Sequence, residues 1–320
     1  MDEVLSKYLI KFKKLRVDRS HGIAPHKPIL LISIIQSYQG GQITDNRIYI
    51  TPELVALFKS NWSELVITNH DCRMSYPFFY MKSEGFWRLV PRSGFSDLKK
   101  MGSLVKSFSS LNSAVEYAEI EPDLYALLID HQSSQILLHF LLDEYFPDTK
   151  GKISGGTSGA DQLLTDAKDN IVNEPPGEYR TATRRLIDQK ADEEIFLRGS
   201  LFKREIPRIY GNRCWISGMK IDTAYNISMI DACHIVPFSE SYDDTVSNGI
   251  ALCPNLHRAF DKGLISINPD YVVCVSDGFI EEDSYSIRQY SGHKIVLPNQ
   301  ASYWPSRENL EWHGVNVFKQ

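Results

Sequence analysis

The sequence lacks paired cysteines and long apolar runs. It has five cysteines, an odd number, and no two of them form a C-x-x-C motif. This argues against a disulfide framework and against a four-cysteine zinc site. No run approaches the roughly 18 consecutive apolar residues that a membrane span requires, and the first residues show no signal-peptide core followed by a cleavage site. We therefore expect a cytoplasmic protein with reduced cysteines that does not contact a membrane.

At 320 residues the chain is longer than most single domains, so two domains are the first expectation.

Charge is divided unevenly along the chain. The net charge of −5 counts against nucleic acid only if it is spread evenly. Residues 1–110 hold 16 Lys and Arg against 9 Asp and Glu, whereas residues 111–150 hold 1 against 8. The first segment is basic enough to offer a face to phosphates, although charge alone does not separate such a face from an ordinary solvated surface.

Periodicity and turn residues predict an N-terminal domain over residues 1–146. The predicted helices are 3–16, "HKPILLISIIQSYQGG", "TPELVALFKSNWSELV", about 109–119 and 121–145. The aromatic stretch "YPFFYMKSEGFWRLV" predicts two strands that meet at Glu84 and Gly85. Residues 147–180 are rich in Gly, Ser, Pro and charge, so they predict a flexible linker to a second domain at 181–320.

A strand, a polar loop and a helix in the second domain carry residues suited to phosphodiester hydrolysis. "DACHIVPF" predicts a strand on which His234 is the only group whose pKa suits proton transfer near pH 7. The loop that follows ends at Asn248, a residue type that hydrogen-bonds to the backbone in turns. In "LHRAFDKG", His257 and Asp261 stand four apart and share one helix face. The segment therefore predicts a base, a loop clamp and two metal ligands in sequence.

Strand alternation leaves the third metal ligand open. Asp231 and Cys233 lie on the strand face opposite His234, so either side chain can point to the helix and its ion. An imidazole with carboxylates suits Mn²⁺, Mg²⁺ or Zn²⁺ and does not choose among them. We name His257, Asp261 and Asp231 as candidate ligands of one divalent ion, with Cys233 as the alternative to Asp231.

These residues resemble those of the HNH endonucleases, which have a ββα-metal fold. The likeness lies in "CHIVPF", "SNGIALC" and "LHRAFDKGLISI", where His234, Asn248 and His257 stand at separations of 14 and 9, and it extends over roughly residues 195–320. The resemblance implies that His234 is the general base and that Asn248 steadies the loop and orients this histidine. It also implies that His257 binds the metal, with Asp261 at a further ligand position.

The N-terminal domain resembles the sulfur-binding domain of phosphorothioate-dependent restriction enzymes. The likeness lies in "HGIAPHKPILLISII", "NRIYITPELVALFKSNW" and "YPFFYMKSEGFWRL", and those enzymes also place an HNH module second. Sulfur is larger, more polarisable and a poorer hydrogen-bond acceptor than oxygen, so a sulfur pocket should be partly apolar beside cations. The resemblance implies that phosphorothioated DNA is contacted by His26, Lys27, Arg73, Tyr76, Pro77, Phe78 and Tyr80.

The sequence thus predicts an α+β protein of two domains, a mixed α/β sulfur-binding-like domain followed by an HNH nuclease domain. The predicted function is a modification-dependent restriction endonuclease that cuts double-stranded DNA near a phosphorothioate with one divalent ion. Two alternatives remain at this point: the first domain reads a modified base such as methylcytosine, or the chain binds DNA with a decayed nuclease module. Because one active site cuts one strand, double-strand cleavage favours a homodimer.

Overall fold

The structure, a computed structural model, consists of two compact units. It describes residues 3–18, 22–95, 107–153, 158–221, 228–282 and 285–319. Residues 1–165 with 192–197 form unit 1, and residues 166–191 with 198–320 form unit 2. Helices outnumber the short strands in both units, so the predicted two-domain α+β class is confirmed. Within the described ranges, no helix is long and apolar enough to cross a bilayer.

Unit 1 surrounds one buried helix with other helices and a small sheet. Its elements are α1 (Glu3–Lys13), α2 (His26–Gln39), β1 (Arg47–Ile48), α3 (Pro52–Leu65), α4 (Ser75–Tyr80), β2 (Trp87–Pro91), α5 (Phe108–Ala114), β3 (Val115–Ile120), α6 (Pro122–Ile129) and α7 (His131–Tyr145). The strands form an antiparallel sheet in the order β1-β3-β2. Helix α2 is apolar on nearly all sides because it packs against both α3 and α7.

The aromatic stretch after residue 75 differs from its prediction. Residues 75–80 form a helix instead of a strand, and a strand follows only from Trp87. The exposed rings of Tyr76 and Tyr80 stand four apart, while Phe78 and Phe79 are buried between them. That is helical spacing, which the β-preference of aromatic residues concealed. Gly85 then turns the chain into β2 at a φ of +79°.

Residues 147–180 also differ from their prediction. Helix α8 (Ser158–Asn173) and helix α9 (Pro176–Asp188) occupy most of this segment. Both are anchored by buried side chains, Ile171 in α8 and Tyr179 in α9. The Gly and Pro residues lie before α8, in its first turn or at the start of α9, where a proline fits a first helical turn. The prediction of irregular chain was therefore wrong over the residues that the structure describes in this segment.

Unit 2 contains a β-hairpin followed by a short helix. Its elements after α9 are α10 (Asp192–Ile209, whose first turns belong to unit 1), β4 (Asp231–His234), α11 (Phe238–Ser241), β5 (Gly249–Leu252), α12 (Pro254–Asp261), β6 (Ile265–Ile267), β7 (Val273–Val275) and α13 (Arg307–Asn316). Strands β4 and β5 pair antiparallel, with Asp231 opposite Leu252 and His234 opposite Gly249. Helix α12 begins two residues after β5, with Pro254 in its first turn. This β-loop-β-α unit brings the ends of β4 and the face of α12 together.

Candidate functional site

His234 lies at the end of β4 with its imidazole held on two sides. Its Nε2 lies 2.8 Å from a carboxylate oxygen of Asp244, in the loop between β4 and β5. The ring of Phe202, from α10, stacks on the imidazole with centroids 4.0 Å apart and planes 11° apart. This approach requires a residue without a side chain opposite His234, because a Cβ at Gly249 would lie 2.9 Å from the Phe202 ring. The imidazole side chain remains 23% exposed, so it is accessible from solvent.

Asn248 is fully buried and ties the ends of the loop together. Its Oδ1 accepts a hydrogen bond from the Val236 backbone N–H at 2.9 Å. Its Nδ2 donates to the carbonyl oxygens of Val236 and Asp243, both at 2.9 Å. These bonds satisfy buried backbone groups on both sides of the loop. The side-chain hydrogen bonds of Asn248 within the described residues go to the loop and not to His234, so Asn248 fixes the backbone that carries Asp244.

Three side chains of types that bind metal ions meet beside the hairpin. The donor atoms of Cys233, His257 and Asp261 all lie within 4.8 Å of one another. Within this group, the Cys233 thiol lies 3.7 Å from Asp261 Oδ1, and His257 Nε2 lies 3.5 Å from Asp261 Oδ2. As predicted from strand alternation, Cys233 points to α12 while His234 points elsewhere.

Asp231 lies outside this group of three. Its carboxylate is 3.3 Å from Nδ1 of His257, whereas Asp261 faces the opposite ring nitrogen. In this arrangement Asp231 accepts from Nδ1–H and leaves Nε2 free to bind a metal, the common role of a carboxylate behind a metal-binding histidine. Of the two alternatives for the third metal ligand, the structure therefore places Cys233, and not Asp231, in the donor group.

The donor set fits a divalent metal ion. Thiolate, imidazole and carboxylate are all protein ligands of Zn²⁺, and the last two also bind Mn²⁺. Burial, followed by the Asp261 carboxylate, raises the pKa of the Cys233 thiol well above its usual value. The thiol therefore stays protonated until a cation replaces its proton. Residues Cys233, His257 and Asp261 are the ones that would hold the ion.

Asp244 and Phe202 are contacts of the candidate base that sequence reasoning missed. Asp244 belongs to an Asp-Asp pair in the polar loop, and its 2% exposure is the unusual feature, since an aspartate is buried only with a partner. Phe202 sits in an amphipathic helix where a buried phenylalanine is ordinary core. Only the fold brings its ring onto the imidazole.

A groove of about 460 Å³ lies on unit 1. Its lining residues are Arg16, Val17, Asp18, Ala24, His26, Lys27, His70, Tyr76, Pro77, Tyr80 and Ser83. Five of the seven residues predicted to contact modified DNA are thus brought together, all except Arg73 and Phe78. Arg16, which is exposed, is a cation that the sequence reasoning did not single out.

Two of the predicted cations in this groove carry less available charge than expected. Lys27 is buried and forms an ion pair with the buried Glu84, so its charge is already compensated. His26 donates from Nε2 to the Asp71 carbonyl at 2.9 Å, and burial lowers its pKa. We predicted that Lys27 contacts a phosphate. Its ion pair with Glu84 leaves it less able to do so.

Arg73 and Phe78 lie apart from the groove lining. Arg73 contacts its edge, since one guanidinium nitrogen lies 3.5 Å from the Tyr76 hydroxyl and another 3.4 Å from Asp71. Phe78 is 0% exposed, and its ring packs edge-on against Trp87 at 5.2 Å. A side chain without exposed surface does not contact DNA, so the prediction for Phe78 is corrected: it belongs to the core.

Comparison with known proteins identifies the hairpin and helix. Residues 214–268 match the family model of the HNH endonucleases. The predicted HNH module is therefore confirmed over this segment.

Two solved structures are similar to the chain at low identity. The modification-dependent TagI restriction endonuclease is 20% identical over 36% of this chain and 38% of its own, with a TM-score of 0.27. The type IV phosphorothioation-dependent restriction endonuclease ScoMcrA is 13% identical over 79% of this chain and 94% of its own, with a TM-score of 0.33. The chain thus spans well under half of the TagI structure. No curated protein matches it.

Proposed function

We propose that the protein is a modification-dependent restriction endonuclease that binds phosphorothioated double-stranded DNA through unit 1 and cuts it with its HNH domain. The observation that carries this proposal is a groove with an apolar aromatic wall and an exposed arginine in the same chain as a held histidine and a metal-ligating group. A nuclease domain by itself does not need such a groove. The groove is therefore the part that selects the DNA.

In the proposed reaction His234 accepts a proton from the attacking water. A divalent ion held by Cys233, His257 and Asp261 would stabilise the charge that develops on the phosphate and on the departing oxygen. Asn248 keeps the loop, and with it the surroundings of the imidazole, in one conformation. The partly exposed imidazole beside a fully buried amide fits this division between a reacting and a structural residue.

The groove supplies what recognition of sulfur requires. Tyr76 and Pro77 with Tyr80 form an apolar wall, and the tyrosine rings are 37% and 46% exposed. A polarisable sulfur gains more from contact with such a wall than an oxygen, which loses hydrogen bonds with water there. Arg16 on the lining and Arg73 at the edge are cations for the remaining anionic oxygen.

A modified base is the second candidate for the same groove. Four rings line it, those of His26, His70, Tyr76 and Tyr80, and its volume is within the range of small-ligand pockets. A reader of modified bases flips the base out and stacks it between such rings. The two candidates differ in whether the sugar-phosphate backbone or the base occupies the groove.

Binding to three matched duplexes separates the two candidates. The duplexes share one sequence and carry a single phosphorothioate, a single 5-methylcytosine or neither, and affinity is measured at fixed salt because phosphate contacts are salt-dependent. We expect the phosphorothioate duplex to bind most tightly. Preference for the methylated duplex would move the proposal to base recognition, and equal affinity for all three would end the recognition proposal.

Cleavage is tested on phosphorothioated and plain plasmid with Mn²⁺, Mg²⁺ or Zn²⁺ added to metal-stripped protein. We expect cleavage of the modified plasmid only. The negative control is the variant His234→Ala.

Sedimentation with and without DNA tests the proposed homodimer. The division into a recognition domain at 1–146 and a nuclease domain at 181–320, joined by the largely helical residues 147–180, is tested by binding with the first segment and cleavage with the whole chain.

A further inference from the structure

We propose that Asp244 is the positioning residue of His234, and that it fixes the tautomer in which Nδ1 is the nitrogen that accepts the proton. The proposal rests on the proposed role of His234 as general base. It adds a residue and an atom to that role, both assigned from the contacts around the imidazole.

The contact points to the position of the hydrogen when Asp244 is a carboxylate. Asp244 Oδ1 lies 2.8 Å from Nε2 of His234, a normal hydrogen-bond length. An ionised carboxylate only accepts, so Nε2 carries the hydrogen and the lone pair of the neutral ring is on Nδ1. A base that is oriented by a third group in this way is ready to take a proton without first changing tautomer.

The carboxylate is itself held in place. Asp244 is 2% exposed, so it has little freedom to turn to solvent. The residue before it is fixed through its carbonyl, which accepts from Asn248 Nδ2 at 2.9 Å, and through its carboxylate, which accepts from the Thr245 N–H at 2.8 Å. The buried amide of Asn248 therefore acts on His234 indirectly, through the backbone of Asp243 and the carboxylate of Asp244.

The ring plane has a separate constraint. Phe202 stacks on one face of the imidazole at 4.0 Å, which restricts rotation about the bond to the ring. Asp244 then decides which nitrogen faces the loop. Together the two contacts leave one orientation and one tautomer.

Asp243 provides a matched control, because an asparagine there keeps the side-chain oxygen that accepts from the Thr245 N–H and the carbonyl that accepts from Asn248. It is the adjacent aspartate, equally buried at 2% exposure, and it has no hydrogen bond to His234 among those of the described residues. Comparing Asp244→Asn with Asp243→Asn changes one buried carboxylate to an amide of the same shape in each case. An effect that follows only the first substitution is not a general result of losing a buried charge in this loop.

The test is the tautomer of His234 in the full-length, metal-free protein. Long-range ¹H–¹⁵N spectra at a pH where the ring is neutral show which nitrogen carries the hydrogen, and the His234 signals are assigned by their loss in His234→Ala. We expect Nε2–H alone in the wild type and in Asp243→Asn. In Asp244→Asn we expect both tautomers, because an amide accepts or donates. Nδ1–H in the wild type, or an unchanged tautomer in Asp244→Asn, would overturn the proposal.

Kinetics give the second readout. With saturating metal, we expect Asp244→Asn to lower kcat by roughly 100-fold, within the 10²–10⁴-fold that a positioned general base contributes. KM and DNA affinity should not change, because Asp244 is not among the residues that line the groove. An unchanged kcat would also overturn the proposal. If instead His234→Ala retained cleavage, the assignment of His234 as the base would be wrong. The tautomer measurement would still test separately whether Asp244 positions the imidazole.

Discussion

The histidine site of unit 2 and the groove of unit 1 hold their polar side chains in opposite ways. Nε2 of His234 lies at hydrogen-bond distance from Asp244, and the backbone of the loop is fixed by the buried amide of Asn248. In the groove, the charge of Lys27 is compensated by Glu84, while the rings of Tyr76 and Tyr80 are exposed to solvent. A site that moves a proton needs an exact geometry before its substrate arrives, whereas a recognition surface completes its contacts with the DNA.

The largest expected effect is on cleavage by His234→Ala. Loss of a general base lowers kcat by roughly 10²–10⁴-fold, while affinity for DNA stays unchanged because the groove is untouched. Cleavage rates and binding are measured on the same modified duplex. The exposed His293 of the same unit supplies the control, since His293→Ala should cleave normally. Equal loss in both variants would remove His234 from the chemistry.

The next effect concerns metal affinity and the two roles proposed for the groups around His257. His257→Ala removes a donor of the cluster, so calorimetric titration with Mn²⁺ or Zn²⁺ should show little or no binding. Asp231→Asn keeps the donors and weakens only the support behind the imidazole, which lowers metal affinity by roughly 10–100-fold. If Asp231→Asn abolished binding as fully as His257→Ala, Asp231 would be a ligand and the role given to Cys233 would be wrong.

A smaller effect is expected in the groove, where Tyr76→Ala should reduce the preference for phosphorothioate. Loss of one ring of the wall should weaken binding of the modified duplex by roughly tenfold, which corresponds to about 1.4 kcal/mol, and leave the plain duplex unchanged. Phe78→Ala is the contrasting change. It should lower the free energy of unfolding by about 3–5 kcal/mol and show no selectivity between the two duplexes. Equal weakening of both duplexes by Tyr76→Ala would make Tyr76 a general DNA contact.

The smallest effect is a pH dependence of stability at Glu193. Its carboxylate accepts from the Met74 N–H at 3.0 Å within unit 1, and burial raises its pKa above the usual value of 4.5. A carboxyl with a raised pKa in the folded state stabilises the fold below its usual pKa, and this contribution is lost as the pH rises through the raised value.

Glu193→Gln keeps an oxygen that accepts the hydrogen bond from Met74 but cannot gain or lose a proton in this pH range. The wild type should therefore lose a few degrees of melting temperature relative to Glu193→Gln as the pH is raised from acid to neutral. Thermal melts of both proteins across this range measure the difference. Parallel curves would show that the buried carboxyl does not titrate on unfolding.

The sequence supported the nuclease part better than the recognition part for a physical reason. The chemistry needs a base on a strand and ligands one helical turn apart, so His234, His257 and Asp261 stand at spacings that can be read directly. The partner of His234 depends instead on how a loop folds back, and neither Asp243 nor Asp244 is distinguished in the sequence. Burial separates them from ordinary loop aspartates, and burial appears only with the fold.

In the groove, the local pattern was misleading. The aromatic run from Tyr76 to Tyr80 favours a strand by composition, yet it forms a helix because Phe78 and Phe79 fill the core on one side. A strand would have alternated Tyr76, Phe78 and Tyr80 onto one face. The helix instead exposes the two tyrosines and buries Phe78, which explains why one predicted DNA contact proved to be core.

The close packing of α10 against Gly249 bears on how much of the chain the nuclease domain needs. A Cβ there would lie 2.5 Å from Ile206 and 2.9 Å from Phe202, both on α10. This helix precedes the segment 214–268 that matches the HNH family, yet its close fit over the hairpin puts a ring on the imidazole. A fragment trimmed to the matched segment would keep the metal-ligand candidates and Asp244 but would lose the ring that stacks on His234. If His234 is the base, we expect an active fragment to start upstream of Phe202, so that the proposed chemistry depends on more of the chain than the segment that matches the family.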